Sequence, residues 1–114
     1  MTNLDVPGHV TTNWATYTRV GRIVTISVKF TISSSINDGS GFGFNLPWGP
    51  ISDRQIVIPA ISDRSGSNKA PFAFNNANSD HTVYAKALEG YAFQTYNSFS
   101  GNYLIVTGSY ETDA

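Results

Sequence analysis

The sequence lacks cysteine and has few charged residues. Without cysteine, this chain of 114 residues can form no disulfide, no thiolate metal site and no cysteine nucleophile. Charged residues make up 13% of the composition, well under the usual quarter, and seven Lys and Arg stand against eight Asp and Glu. A nucleic-acid binder needs a basic face to neutralise phosphates, so this composition argues against a nucleic-acid partner.

Long apolar runs and clusters of metal ligands are also missing. No run approaches the ~18 residues that a membrane span needs, so we expect no membrane insertion. The two histidines, His9 and His81, lie far apart in the sequence and have no carboxylates at ligand spacing. Asp80 and His81 could be two members of a catalytic triad, but no nucleophile-elbow motif supports the third. The sequence therefore predicts no enzyme activity, no metal site and no cofactor.

Hydroxyls, amides and aromatic rings are abundant instead. The chain has 13 Ser, 11 Thr and 10 Asn, which predict a polar but uncharged surface. Seven Phe, six Tyr and two Trp provide the material for a hydrophobic core.

Residues 17–32 carry the strongest pattern in the chain. From Ile23 onward, apolar and polar side chains alternate, which is typical of a strand with one buried and one solvated face. Gly21 suits the positive φ of a two-residue turn, so residues 16–32 are predicted to form a β-hairpin. With the next strand, the pattern predicts these inward side chains: Val24, Ile26, Val28, Phe30, Phe42, Phe44 and Leu46.

The rest of the chain repeats short alternating segments between Gly, Asn and Ser turns. Further strands are predicted near residues 55–62, 70–74, 82–88, 91–96 and 103–110. Pro59 removes a ladder donor and predicts that its strand lies at an edge or contains a bulge. About eight strands at this spacing indicate an all-β, antiparallel, jelly-roll-like sandwich spanning residues 14–114. Residues 1–13 lack periodicity and are interpreted as an extended arm, a disordered tail being the alternative.

Three short motifs resemble the C-terminal domains of bacteriophage tail fibres and related virion-surface proteins. They are Tyr17-x-x-Val20-Gly21-x-Ile23-Val24-Thr25-Ile26-Ser27, then Ser40-Gly41 leading to Leu46-Pro47-Trp48, and finally Gly108-Ser109-Tyr110. The resemblance covers residues 14–50 and 103–111, and Arg22 departs from the small polar residue usual at its position. It implies a small β-sandwich that assembles as a homotrimer on the outside of the particle, and it implies no catalytic residues.

Two functions follow from this resemblance. The favoured one is a non-enzymatic decoration or cement protein of the capsid, which docks on other virion proteins through arm residues Leu4, Val6 and Val10. The alternative is the receptor-binding tip of a tail fibre that contacts host-surface glycan. A fibre needs a long shaft before its tip, and 13 residues precede the predicted fold here. If Met1 is the native start, this favours decoration, and if the sequence is a piece of a longer chain, it favours the fibre tip.

Aromatic residues near turns are the candidate contacts with a partner or a glycan, because exposed rings stack on sugars and anchor interfaces. Trp14 and Trp48 could instead plug the ends of the sandwich. Tyr96 and Phe99, within the polar loop that also holds Asn97, are expected to need a partner that covers them. The site prediction is therefore Trp48, Tyr96, Asn97 and Phe99. The outward residues of 55–61 and the 96–99 loop are the expected patches for self-association.

Overall fold

The computed structural model describes residues 8–34, 39–52, 55–63, 72–76, 82–88 and 93–113, and it confirms an all-β, antiparallel fold. Its seven strands are β1 (Val10–Val20), β2 (Ile23–Ile32), β3 (Gly43–Asn45), β4 (Val57–Ser62), β5 (Phe72–Asn75), β6 (Thr82–Ala87) and β7 (Tyr103–Glu111). A short 3₁₀ helix covers Tyr96–Phe99. The strand predicted at 91–96 is reduced, within the described residues, to isolated bridges at Phe93 and Thr95.

The strands form one curled sheet in the order β1-β2-β7-β4-β5-β6-β3. The curl makes a half-barrel around the core, so the predicted jelly-roll sandwich of two packed sheets is not what the described residues form. Every strand pairing within the described residues is antiparallel, and β2 lies between β1 and β7, which with β2 are the three longest strands.

The predicted hairpin is confirmed and is longer than expected. Gly21 has a φ of 59°, and Val20 pairs with Ile23 across the turn. β1 starts at Val10, so residues 10–13 belong to the sheet rather than to an arm. A register shift between Thr12 and Trp14 turns Val10 into the core and Trp14 outward, because an extra residue in one strand reverses the alternation beyond it.

Pro59 lies where β4 changes partners. Residues 57–59 pair with β5, whereas residues 60–62 pair with β7. β4 is thus an interior strand with no register shift in either pairing, so neither predicted alternative, an edge or a bulge, is what the described residues form. A side chain at Gly108 of β7 would put its Cβ 2.9 Å from Cδ of Pro59, so this close approach requires glycine.

Aromatic rings fill the interior of the half-barrel. The predicted inward row is confirmed, since all seven of its side chains are buried. Phe42 contacts Phe30, Phe74 and Phe99 with ring centroids 5.5–5.8 Å apart, mostly edge to face. These arrangements suit the quadrupoles of the rings and add to the burial of apolar area.

Two buried asparagines support the backbone just before β4. Nδ2 of Asn75 donates to the carbonyl of Ile56 at 3.0 Å, and the amide of Ile56 donates to Oδ1 of Asn76 at 2.8 Å. Nζ of Lys86 donates to Oδ1 of Asn75 at 3.2 Å. These side chains satisfy backbone groups that no strand pairs at this point, which lets β4 begin inside the fold.

Candidate interaction surface

The convex side of four neighbouring strands forms one continuous surface. We call it the outer face: the side chains of β1, β2, β7 and β4 that point away from the core. Its residues follow from the registers, which place Trp14, Lys29, Ile105 and Ile61 in one row across the four strands.

Hydroxyl groups occupy the middle of the outer face. Two rows cross three strands, and they consist of Thr16, Ser27 and Thr107, and of Thr18, Thr25 and Ser109. The hydroxyls of Thr25 and Ser109 are 2.9 Å apart, and those of Ser27 and Thr107 are 3.4 Å apart. Because hydroxyls already bonded to each other cost less to bury than charges, this surface can be covered by a partner at modest cost.

Two pairs of apolar side chains lie near β4, one pair on each side of the two hydroxyl rows. Val57, 58% exposed, and Ile23, 46% exposed, line one groove of about 290 Å³, which Gln55 and Glu111 also line. We call this pair the turn patch. Ile61, 65% exposed, pairs in register with half-buried Ile105, and we call this pair the far patch. Exposed apolar residues are ordinary singly, whereas contiguous apolar patches mark protein contacts, so these two pairs are the candidate contact points of the outer face.

Charge is sparse on the outer face. Lys29 and Glu111 are the charged residues that these strands turn outward within the described part of the chain. Nζ of Lys29 lies 4.5 Å from the ring centroid of Tyr103 and 5.4 Å from that of Trp14. The cation thus sits between two aromatic rings, and Trp14 remains 45% exposed rather than plugging an end of the fold.

Two of the four predicted site residues are inside the core. Tyr96 is 6% exposed and Phe99 is fully buried, so these rings are covered by their own chain and the prediction that they need a partner is wrong. The 3₁₀ helix turns both rings inward, while Asn97 between them is exposed. The hydroxyl of Tyr96 donates to the carbonyl of Gly43 at 3.1 Å and accepts from its amide at 3.3 Å. It therefore caps the outer edge of β3.

The arm residues divide between two parts of the chain. Leu4 and Val6 lie outside the described residues. Val10 is 6% exposed and packs in the core as the first residue of β1, so it is not available for docking.

Trp48 lies in a cluster with Tyr110, Tyr17 and Arg19 near the C-terminal ends of β1 and β7. The hydroxyl of Tyr110 donates to the carbonyl of Trp48 at 2.8 Å and accepts from its amide at 3.4 Å. The guanidinium of Arg19 lies 5.5 Å from the Trp48 ring centroid. Burial raises the pKa of Tyr110 to about 12, and burial also raises the pKa of Tyr17. The cluster thus packs the Trp48 segment against β1 and β7, and half-buried Trp48 has a structural role in it.

Sequence reasoning found part of the outer face and missed the rest. Val57 and Ile61 lie within the predicted self-association segment at 55–61, and their exposure follows from alternation. The grouping of Lys29 and Tyr103 with Trp14, one of the aromatic candidates, could not be predicted, since only the register joins residues so distant in sequence. The alternation of β2 already placed Lys29 on the polar side.

The described residues hold no group of three His, Cys, Asp or Glu side chains placed to bind a metal. No helix in the described part of the chain is long and apolar enough to cross a membrane. Comparison of the chain with family models, with curated proteins and with solved structures gives no match.

Proposed function

We propose that this chain is a non-enzymatic structural protein on the exterior of a bacteriophage virion, where its outer face is a protein interface. The observation that carries the proposal is the outer face itself, where two apolar patches flank hydroxyl rows that carry almost no charge. A surface of this composition can be buried against another protein with only two charges to pair among the described residues, Glu111 in register with Ile23 and Lys29 in register with Ile105.

The location on a virion is supported by the resemblance of the three motifs. The motif residues Trp48 and Tyr110 bond to each other through the Trp48 backbone, so two segments distant in sequence share one structural role. A hydrogen-bonded contact between two motifs is a reason for the motifs to occur together in one fold.

A homotrimer fits the arrangement of the patches. A closed three-fold ring joins different surfaces of neighbouring copies, so each chain needs two patches. The turn patch of one copy packs against the far patch of the next. The hydroxyl rows of each chain then lie between its two contacts.

Capsid decoration is the favoured role, with the trimer seated on other virion proteins. A second role, the receptor-binding tip of a tail fibre, is favoured by one observation. Trp14 and Tyr103 flank Lys29 next to the hydroxyl rows, and exposed rings beside hydroxyls suit contact with a host-surface glycan.

Binding to particles tests the proposal. The probe is purified bacteriophage particles that lack this protein, mixed with wild type, with Ile61→Lys and with Leu88→Lys. Leu88 is the matched control because it is also 65% exposed but lies outside the outer face. We expect wild type and L88K to bind and I61K to bind at least tenfold more weakly.

The same particle-binding assay distinguishes capsid decoration from receptor binding. A chain without residues 1–7 removes Leu4 and Val6 but leaves β1 complete, and decoration through an arm predicts loss of particle binding. The receptor role would replace decoration if wild type binds host-surface polysaccharide but no particles. In that case Trp14→Ala should abolish binding to the polysaccharide. Binding to neither probe would overturn the proposed function.

A further inference from the structure

β1 leaves one of its edges without a partner strand. It pairs with β2 from Val10 to Val20 except at the bulge residue Asn13, and within the described residues no strand pairs with its other side. The half-barrel does not close, so β1 and β3 are its two ends. Such a row of free backbone groups is a template for another strand.

The hairpin identifies which backbone groups are free. A two-residue turn makes Val20 and Ile23 a hydrogen-bonded pair, and antiparallel pairs alternate between bonded and non-bonded positions. The N–H and C=O groups of Thr16 and Thr18 therefore point to β2. Those of Ala15, Tyr17 and Arg19 point to the open edge.

This edge has only two of the features that normally block strand addition, the bulge near Asn13 and one charged residue, Arg19, whose guanidinium lies over the Trp48 ring. β1 contains no proline, no glycine and no lysine, and its bulge near Asn13 lies before the free groups. β3 at the other end differs, because it is three residues long and the Tyr96 hydroxyl bonds both the N–H and the C=O of Gly43. An edge-to-edge contact of β1 with β3 of another copy is therefore disfavoured.

We propose that the open edge of β1 pairs antiparallel with β1 of a second copy, about a two-fold axis at Tyr17. In this register Tyr17 faces Tyr17 of the partner, and Ala15 faces Arg19. Every free N–H and C=O of these residues then has a partner. A shift by two residues in either direction leaves some of them unpaired.

The side chains of β1 are complementary to themselves in this register. On the outer face Thr16 faces Thr18 of the second copy, which is a favourable cross-strand pair, and the hydroxyl rows continue into the second molecule. Trp14, 45% exposed, faces Val20, which is 75% exposed. Arg19 faces Ala15, so no like charges meet. The self-complementary sequence is what favours a second copy over an unrelated strand.

This two-fold contact is separate from the three-fold contact of the proposed function. It uses the edge of β1, whereas the three-fold contact uses the turn and far patches on β2, β4 and β7. Either contact can form without the other. Ile61→Lys is the variant that disrupts the three-fold contact, and the variant described next disrupts the two-fold contact.

A charge exchange at Thr16 and Thr18 tests the pairing and its register. The double substitution T16K/T18K places lysine opposite lysine twice across the two-fold axis, whereas T16E/T18K places glutamate opposite lysine twice. Both variants alter the same two outward positions. We expect sedimentation equilibrium of the full chain to give half the wild-type mass for T16K/T18K and the wild-type mass for T16E/T18K.

Hydrogen exchange at the Tyr17 amide supplies a readout that does not depend on the three-fold contact. We expect slow exchange in wild type, in T16E/T18K and in I61K, and at least tenfold faster exchange in T16K/T18K. Equal mass and equal Tyr17 exchange in both charge variants would overturn the pairing. Protection of Tyr17 only after virion particles are added would overturn the second copy as the partner.

Discussion

Replacing Tyr96 by phenylalanine tests whether its hydroxyl caps the edge of β3. The substitution keeps the ring in the core, where it lies 4.7 Å from the Phe42 ring, and removes the oxygen that bonds Gly43. One buried N–H and one buried C=O then lose their partner, at a cost of about 1–3 kcal/mol for each unsatisfied group. Since the hydroxyl itself no longer needs burial, we expect a net loss of ~2 kcal/mol in the free energy of unfolding.

Urea unfolding followed by tryptophan fluorescence measures this loss. Tyr103→Phe is the control, because Tyr103 is half-buried on the outer face and its hydroxyl makes no hydrogen bond to another described residue. We expect Tyr103→Phe to stay within about 0.5 kcal/mol of wild type, as surface substitutions usually do. A Tyr96→Phe variant as stable as the control would refute the capping role. A change in its oligomer mass would restore Tyr96 as an interface residue.

Three further substitutions probe the core, the strand crossing and the ionisation of a buried phenol. Phe30→Ala should lower the free energy of unfolding by roughly 3–5 kcal/mol in urea titrations, because Phe30 is fully buried. Gly108→Ala should cost about 1–3 kcal/mol, since its methyl group would contact Pro59 at 2.9 Å, and a wild-type urea midpoint would argue against that close approach. The pKa of Tyr110 is raised from 10.0 to about 12, so its stabilising contribution is complete below pH 10 and is lost as the pH rises to 12. Melting temperatures between pH 9 and 12 should therefore fall more steeply for wild type than for Tyr110→Phe, and parallel curves would contradict the assignment.

Local alternation was enough to predict the hairpin and its buried row. Val24 to Ile32 are buried at every second position because β2 has one face on the core along its whole length. The exposure of Val57 and Ile61 followed from the same period. When one face of a strand is buried and the other is solvated, its sequence alternates between apolar and polar residues.

Features that depend on distant contacts could not be predicted in this way. The bulge near Asn13 interrupts the period, which hid the first residues of β1 and the outward position of Trp14. Tyr96 and Phe99 have polar neighbours in sequence, but a 3₁₀ turn points both rings at Phe42, to which no local pattern connects them. Pro59 indicated an edge because a missing donor usually lies there, whereas here it falls where β4 leaves one neighbour for another.

The mass of the full chain in solution tests most directly whether the outer face joins copies of this protein. Sedimentation equilibrium from 1 to 100 μM, concentrations chosen to span ordinary affinities, should give a mass that is a multiple of three chains of 12.4 kDa. Ile61→Lys should lose the three-fold contact, and Leu88→Lys should keep the wild-type mass. A mass of 12.4 kDa at every concentration, or equal masses for the two lysine variants, would contradict the account.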